Sequence, residues 1–248
     1  MGEWFEDESF WEELYPIMFS DEKFDLAEEQ VGKILKLTGL QQGAVLDLCC
    51  GPGRHSIALA KRGLEVTAVD RTEFLLNKAR ELASSFGLQV EFVLEDMRNF
   101  VRPDAFALVV NIFTSFGYFD DKEDDLRVLQ NIYTSLKRGG VFLIEIMGKE
   151  VLARIFQPTV SSKGPDGSLL IQRGEVFDGW GSIRNEWILI KDEKAKSFKF
   201  RHTVYSGQEL KSLIEKAGFE QVNIFGDLDG NEYGPDASRL IIVAHKAD

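Results

Sequence analysis

Short apolar runs alternate with helical stretches between residues 44 and 147, a pattern that few folds accept. Such runs are typical of buried strands, and the stretches between them repeat their apolar residues at helical spacing. Strands and helices that alternate in this way form a parallel sheet with right-handed crossovers and helices on both faces. We therefore predict an α/β, doubly wound fold. The expected strands are 44–50, 66–70, 89–95, 106–112 and 141–147, and the expected helices are 53–62, 72–86 and 121–137.

Between residues 158 and 205 the pattern changes to strand, turn and strand. This predicts an antiparallel β insertion after the fifth strand, with one covered face. No linker or repeat divides the sequence, so we expect one domain over residues 1–248. The expected strands of the insertion are 168–177, 182–191 and 196–205, followed by a helix at 207–217 and strands at 219–225 and 239–245.

Charge and composition exclude several classes of partner. The 29 basic and 41 acidic side chains give a net charge of −12, which repels phosphate backbones and argues against nucleic acid. No apolar run reaches the roughly 18 residues of a membrane span, and the N-terminus lacks the basic flank of a signal peptide, so we expect no membrane partner and a cytoplasmic location. Adjacent cysteines and scattered histidines suggest neither a disulfide nor a metal site.

A glycine-containing turn follows the first predicted strand, in the segment Leu46 to Ser56. Gly51 and Gly53 permit a tight turn, and the next helix directs its first amide groups at a ligand. Asp70 ends the second strand, where a carboxylate can accept hydrogen bonds from ribose hydroxyls. Asp96 follows the third strand at the same sheet edge and can accept from an exocyclic amine such as that of adenine. Together these residues predict a nucleoside pocket.

These residues resemble the class I S-adenosylmethionine-dependent methyltransferases over about residues 27–150 and 207–246. The segment LDLCCGPGRHS is similar to the glycine motif of that family, with Asp47 at its acidic position. Asp70 matches the ribose-binding acid, and Asp96 with Met97 matches the adenine-binding position. Residues 111–114 match the segment that lines the methyl-transfer site.

One residue departs from the family pattern. Cys49 stands where many members carry the first glycine, so the turn must accept a small side chain there. The resemblance implies a Rossmann-like seven-stranded sheet with an antiparallel last strand, and S-adenosylmethionine as cofactor with S-adenosylhomocysteine as product. It also implies that residues 1–26 form a lid over the cofactor, and we expect the insertion at 158–205 to cover the substrate.

We predict site residues from the resemblance and from their positions at the carboxyl edge of the sheet. We expect cofactor contacts from Tyr15, Asp47, Gly51, Pro52, Gly53, Arg54, Asp70, Arg71, Asp96, Met97, Asn111 and Phe113. We expect substrate contacts from Thr114, Ser115, Tyr118 and Tyr233. The catalytic role is left open among Tyr15, Tyr118, Glu145 and His202, because methyl transfer requires orientation more than a particular base. Arg173, Arg184 and Arg201 either bind a substrate carboxylate or pair with surface acids.

The expected function is methyl transfer to nitrogen or oxygen of a small acceptor that is cationic or amine-bearing, by a monomer or homodimer. Three alternatives stay open from the residues alone. They are an NAD-dependent oxidoreductase on the same fold, a methyltransferase of protein or RNA, and a catalytically inactive protein that binds S-adenosylmethionine. Ser56 stands where the dinucleotide fingerprint requires a third Gly or Ala, which disfavours NAD. The acidic loop at 227–236 is either an ordinary solvated loop or an attractor for a cationic substrate.

Overall fold

A computed structural model describes residues 3–248. After a short 3-10 helix at Trp4–Glu6, the chain forms two helices that precede the first strand. Asp7 caps the first of them by accepting a hydrogen bond from the Ser9 backbone amide, and Gly39 ends the second in a left-handed conformation. These helices are α1 (Glu8–Met18) and α2 (Asp21–Thr38).

The alternating pattern forms the predicted seven-stranded sheet. Five strands and three helices alternate along the first part of this unit: β1 (Ala44–Leu48), α3 (Arg54–Lys61), β2 (Glu65–Asp70), α4 (Glu73–Ser85), β3 (Glu91–Leu94), β4 (Phe106–Asn111), α5 (Lys122–Ser135) and β5 (Leu136–Ile146). The unit closes after the insertion with α7 (Gly207–Lys216), β10 (Glu220–Phe225) and β11 (Leu240–His245). The strand order is β10-β11-β5-β4-β1-β2-β3, and β11 runs antiparallel to β5 and β10. The predicted Rossmann-like sheet with a reversed last strand is confirmed.

Two hydrophobic layers hold this sheet. On one face, Leu46 and Phe142 pack with residues of α5 and α7, including Leu129 and Ile214. On the other face, Val45, Leu108 and Leu143 pack with apolar residues of α2, α3 and α4. Burial of both faces explains why the strands are continuous apolar runs without alternation.

The insertion is a second, antiparallel sheet of four strands in the order β6-β7-β8-β9. A short helix precedes it. The elements are α6 (Lys149–Ile155), β6 (Thr159–Lys163), β7 (Leu169–Phe177), β8 (Ser182–Lys191) and β9 (Lys194–Thr203). The sequence pattern predicts the last three of these strands but neither β6 nor α6. Every residue of β6 is exposed, so this edge strand carries no apolar pattern, and α6 is too short to show helical periodicity.

The insertion packs on the N-terminal helices through aromatic side chains. Phe10 of α1 is 1% exposed and lies edge-on to Phe198, with Trp187 of β8 beside it. Trp4 stacks on Phe200 of β9 with ring centroids 4.6 Å apart. The N-terminal segment and the insertion therefore form one cover over the carboxyl edge of the main sheet. Within residues 3–248, no helix combines the length and the apolar character that crossing a membrane requires.

Candidate active site

A cavity of about 350 Å³ lies at the carboxyl edge of the main sheet. The glycine turn and the ends of β1 to β4 form its inner wall, and the N-terminal segment and the insertion form its outer wall. Ligands of open parallel sheets bind at this edge. The volume falls within the range of roughly 300–1,000 Å³ that is common for small-molecule sites.

The glycine turn between β1 and α3 is held in left-handed conformations. Cys49 has φ +62°, which explains why glycine is frequent at this position in the family that the sequence resembles. Gly53 has φ +81°, and a Cβ atom there would lie only 2.8 Å from the Cβ of Ala79 in α4. Gly53 thus allows α3 and α4 to approach closely behind the turn, and the Gly51 amide donates to Asp70 at 2.8 Å.

Two buried acids flank this turn. Asp70 also accepts from the Thr72 amide at 2.9 Å, so both of its oxygens are positioned by backbone groups. Burial raises the pKa of Asp70, and the amide hydrogen bonds oppose that rise. A carboxylate has about four acceptor positions, so Asp70 retains capacity for two ribose hydroxyls. Asp47 accepts from the Ser56 hydroxyl, and burial raises the pKa of Asp47 to about 6.

Asp96 follows β3 and also lines the cavity. It accepts from the Arg98 amide at 2.8 Å and from the Arg98 guanidinium at 3.0 and 2.8 Å. Arg71 lies 3.2 Å from the same carboxylate. Burial acts to raise the pKa of Asp96, but these hydrogen bonds and positive charges outweigh it and lower the pKa. Asp96 is therefore ionised and oriented, beside Met97, whose sulfur lies 3.4 Å from that of Cys49.

The N-terminal segment closes over this side through ion pairs. Glu3 binds the Arg98 guanidinium through both carboxylate oxygens, at 3.0 and 2.6 Å, and Glu6 accepts from Arg71 at 2.7 Å. The Phe5 ring packs against the Arg71 guanidinium, 4.7 Å from its centroid. The two arginines beside Asp96 therefore also bind the first residues of the described chain.

Beyond β4, the chain forms a strained loop that leads to the other end of the cavity. Phe113 and Thr114 have φ of +64° and +55°. Such conformations are uncommon outside glycine and cluster at ligand sites. The loop is held to the end of β5, because the Thr114 amide donates to the Glu145 carbonyl at 3.1 Å and the Thr114 hydroxyl accepts from the Met147 amide at 3.2 Å.

Tyr118 lines this end of the cavity and contacts the insertion. Its ring lies 5.3 Å from that of Trp4 and 5.3 Å from that of His202. Burial raises the pKa of Tyr118 to about 12 and lowers the pKa of His202 to about 4. At neutral pH, therefore, Tyr118 is a phenol and His202 is an uncharged imidazole in contact with Asn185, 3.1 Å away.

The structure brings most of the predicted cofactor residues to the cavity. Those in its wall are Asp47, Gly51, Arg54, Asp70, Arg71, Asp96, Met97 and Phe113. Gly53 and Asn111 support the turn from behind, since the Asn111 side chain donates to the Leu48 carbonyl at 3.0 Å. Asn111 Oδ1 is buried with no hydrogen-bond partner among the described residues.

Two predicted cofactor residues need correction. Tyr15 packs on Phe19 and Phe74 and lies, with Pro52, in a separate cleft outside the glycine turn. Helix α1 directs the Phe10 side of its surface at the cavity, so its Tyr15 side faces α4. Because Tyr15 does not line the cavity, the prediction that it could be catalytic is wrong as well.

Some of the predicted substrate residues line the cavity, and one does not. Thr114, Ser115 and Tyr118 line the cavity, whereas Tyr233 does not. The Tyr233 hydroxyl donates to Glu150 at 2.8 Å, which attaches the loop before β11 to α6. In that loop, Asp229 pairs with Lys33 of α2 at 2.9 Å, so this acid serves a local contact.

The insertion arginines face surface acids. Of the two roles that the sequence left open for them, the structure supports ion pairing. The pairs are Arg173 with Glu186, Arg184 with Glu175 and Arg201 with Asp120. Their side chains are 57%, 58% and 46% exposed, and none lines the cavity.

Several residues of the cavity wall are not among those that the sequence predicts. They include the aromatic residues Phe10, Trp11, Trp187 and Phe200 of the cover, and also Arg239. The alternation in β9 indicated a covered face there but not what it covers. Arg239 directly precedes the reversed last strand, and that position at the carboxyl edge could have indicated it.

Comparison with known proteins agrees with this geometry. The methyltransferase domain family matches residues 45–140. A Bacillus subtilis protein that is named as a methyltransferase is 27% identical over 212 residues, 84% of this chain and 85% of that protein. The glycine/sarcosine N-methyltransferase of Aphanothece halophytica is 26% identical over 217 residues, 86% of this chain and 79% of that protein. The structure of S-adenosylmethionine-bound CalS10, an amino pentose methyltransferase from Micromonospora echinaspora, superposes with a TM-score of 0.67 at 20% identity, covering 90% of this chain and 91% of that chain.

The reversed seventh strand, the nucleoside-type pocket and these matches define the class: the chain is a class I S-adenosylmethionine-dependent methyltransferase. It is an enzyme whose cofactor is S-adenosylmethionine, so the NAD alternative and the inactive alternative are wrong. The residues fit that cofactor, because the left-handed turn, the ionised Asp96 and the unpartnered Asn111 oxygen all lie at one sheet edge.

Proposed function

We propose that this enzyme methylates nitrogen or oxygen of a small, amine-bearing acceptor. The observation that carries the proposal is the aromatic cover over the acceptor end of the cavity. Trp4, Trp187 and Phe200 line it from above, and Tyr118 and Thr114 line it from below. A covered cavity of about 350 Å³ favours a small molecule over a protein side chain or an RNA base on an intact macromolecule.

Charge and relatives support the same proposal. The net charge of −12 disfavours an RNA acceptor. Among the relatives, one is named for glycine and sarcosine and one for an amino pentose, and both acceptors are small amines. The amine-bearing class is therefore the first to test for this chain.

The proposed chemistry depends on position. The bound cofactor supplies an electrophilic methyl group on a sulfonium, which the acceptor displaces in line. Asp70 and Asp96 would hold the nucleoside part, and the glycine turn with Arg54 would hold the amino-acid part. The strained loop at Phe113 and Thr114 and the cover would orient the acceptor and exclude water.

Neither Tyr118 nor His202 is suited to be a general base near neutral pH. A phenol whose pKa is about 12 stays protonated, and an imidazole whose pKa is about 4 takes up a proton weakly. We therefore propose that the acceptor reacts as its free amine and that Tyr118, which lines the cavity and packs on His202, positions it.

The test measures S-adenosylhomocysteine release with a panel of small amines and hydroxyl compounds, and with unfolded protein and RNA as competing acceptor classes. We expect turnover with at least one small amine and identification of the methylated atom by mass spectrometry. Turnover confined to protein or RNA would contradict the proposal. Trp187→Ala, which opens the cover, is expected to lower kcat for the small acceptor, whereas Trp180→Ala, in the turn between β7 and β8, is the matched control.

A further inference from the structure

Arg239 presents a fixed guanidinium to the acceptor end of the cavity. Its Nε donates to Glu145 at 3.0 Å, and its Nη1 donates to the Ser238 carbonyl at 2.9 Å. The Glu145 side chain is 9% exposed and lies at the end of β5, so it is a rigid anchor. Over residues 3–248, no hydrogen bond engages Nη2 of Arg239. Two sides of the guanidinium are thus held while the third can bind a ligand.

The strand order places Arg239 away from the cofactor side. Arg239 directly precedes β11, and β5 and β4 separate β11 from β1, the strand that leads into the glycine turn. Neighbouring strands lie about 4.8 Å apart, so β11 and β1 are separated by roughly 14 Å. Ribose and adenine contacts fall beyond β1, at β2 and β3. Arg239 therefore belongs to the acceptor end.

A second guanidinium, that of Arg54, acts on the carboxylate that binds Arg239. The Arg54 guanidinium is buried and lies 4.6 Å from the centre of the Phe113 ring, and the Lys23 ammonium lies 5.4 Å from the same ring. Glu145, the partner of Arg239, and Asp47, the partner of Ser56, are the nearby acids that act on Arg54. Glu145 is therefore shared between two guanidinium groups, Arg239 and Arg54, and neutralises Arg239 only in part.

We infer that the methyl acceptor carries an oxyanion, either a carboxylate or a phosphate, and that Arg239 binds this group. Guanidinium groups bind both oxyanions through charge-assisted hydrogen bonds, and the Arg239 side chain is 40% exposed, so its free Nη2 is accessible to a ligand. This inference rests on the proposed function and narrows it to amino acids or amino phosphates. The acceptor would then carry a nucleophilic amine at one end and, at the other end, an oxyanion that Arg239 binds.

The experiment compares acceptor pairs with and without the anion, at equal concentrations of the free amine. Glycine against glycinamide tests a carboxylate, and glucosamine 6-phosphate against glucosamine tests a phosphate. We expect the wild-type enzyme to prefer one anionic member, and Arg239→Gln to raise KM for it by about tenfold to a hundredfold, because removing one charged hydrogen-bonding partner typically has this effect. The KM for the neutral member and the Kd for S-adenosylhomocysteine should change less than about twofold, a change worth under 0.5 kcal/mol.

Two further variants complete the design. Arg239→Lys keeps the charge and should recover part of the affinity for the anionic acceptor. Arg173→Gln removes an exposed arginine that pairs with Glu186 on the insertion, and should leave all constants unchanged. Melting temperatures of the variants show whether each is folded.

The outcomes separate this inference from the proposed function. Equal or better use of the neutral members overturns the inference and leaves small-amine methylation standing. If Arg239→Gln raises the Kd for S-adenosylhomocysteine as much as it raises the KM for the anionic acceptor, Arg239 binds the cofactor, and the inference is overturned. Turnover of protein or RNA alone overturns the proposed function, and the inference with it.

Discussion

Glu3 and Arg98 are 95 positions apart in sequence, and their side chains form a two-point ion pair. The same guanidinium binds Asp96, so a single arginine joins the N-terminal segment to the loop that follows β3. The hydrogen bond that Arg98 donates to Asp96 contributes most to raising the pKa of Arg98, and the carboxylate of Glu3 adds to it. Closure of the N-terminal segment and orientation of Asp96 are consequently coupled through Arg98.

We predict that Glu3→Gln loosens the N-terminal segment. Arg98 and Glu3 are partly exposed, so the pair is worth about 1 kcal/mol, which corresponds to about a fivefold increase in local opening. Hydrogen exchange of the amides of α1 measures this opening. Glu12→Gln, on the exposed surface of the same helix, should leave the exchange rates as in the wild type. Equal exchange in both variants would argue against the coupling.

We predict that Asp70→Asn weakens cofactor binding. The amide keeps the shape of the side chain but loses the charge and one acceptor, which should raise the Kd for S-adenosylhomocysteine about tenfold to a hundredfold. Isothermal titration calorimetry measures the Kd. The matched control is Asp104→Asn, because Asp104 precedes β4 at the other end of the sheet and pairs with Lys246 on the surface. An unchanged Kd in Asp70→Asn would remove Asp70 from the cofactor site.

We predict that Asp125 makes stability depend on pH. It is fully buried and accepts from the Tyr205 hydroxyl at 2.6 Å, and burial raises its pKa to about 6 despite that hydrogen bond. The folded state therefore binds the proton more tightly than the unfolded state does. This carboxyl costs stability above pH 6, and the cost disappears as the pH falls toward 4. A shift of this size corresponds to about 3 kcal/mol at the alkaline limit.

The variant that tests this prediction is Asp125→Asn, measured by urea unfolding at pH 4.5 and pH 8. The free energy of unfolding of the variant, taken relative to that of wild type, should be about 1–3 kcal/mol higher at pH 8 than at pH 4.5. The change in the difference between the two proteins is the readout, because other carboxyl groups titrate equally in both. A difference that is the same at both pH values would contradict the assignment.

We predict that Phe10→Ala separates the N-terminal segment from the insertion. Phe10 is 1% exposed and contacts Trp4 and Phe198 edge-on, so its truncation should cost about 3–5 kcal/mol of unfolding free energy. Urea unfolding followed by tryptophan fluorescence reports the loss. Phe86→Ala is the control, since that ring is 53% exposed and its removal should change stability by less than about 0.5 kcal/mol. Similar losses in both variants would show that Phe10 has no special role.

The fold and the part of the cavity wall around the glycine turn were predictable from sequence because their signals are local. An apolar run such as Val45 to Leu48 marks a buried strand, and Gly51 and Gly53 mark a turn that demands left-handed backbone. Asp70 and Asp96 follow strands that the topology brings to one edge. Sequence distance and the rules of parallel sheets were enough to bring these residues together.

The acceptor side was decided by tertiary packing. Tyr15 and Tyr233 were reasonable candidates by position, but one faces α4 and the other binds Glu150 on α6. Arg239 enters the cavity because β11 runs antiparallel to β5, which brings the residue directly before β11 to the carboxyl edge. Trp4 and Phe200 meet through packing of distant segments, for which a single sequence carries no periodic signal. Local pattern thus determined which strand ends line the glycine-turn side of the cavity, whereas long-range contacts between the cover and the sheet decided the shape and charge of its other end.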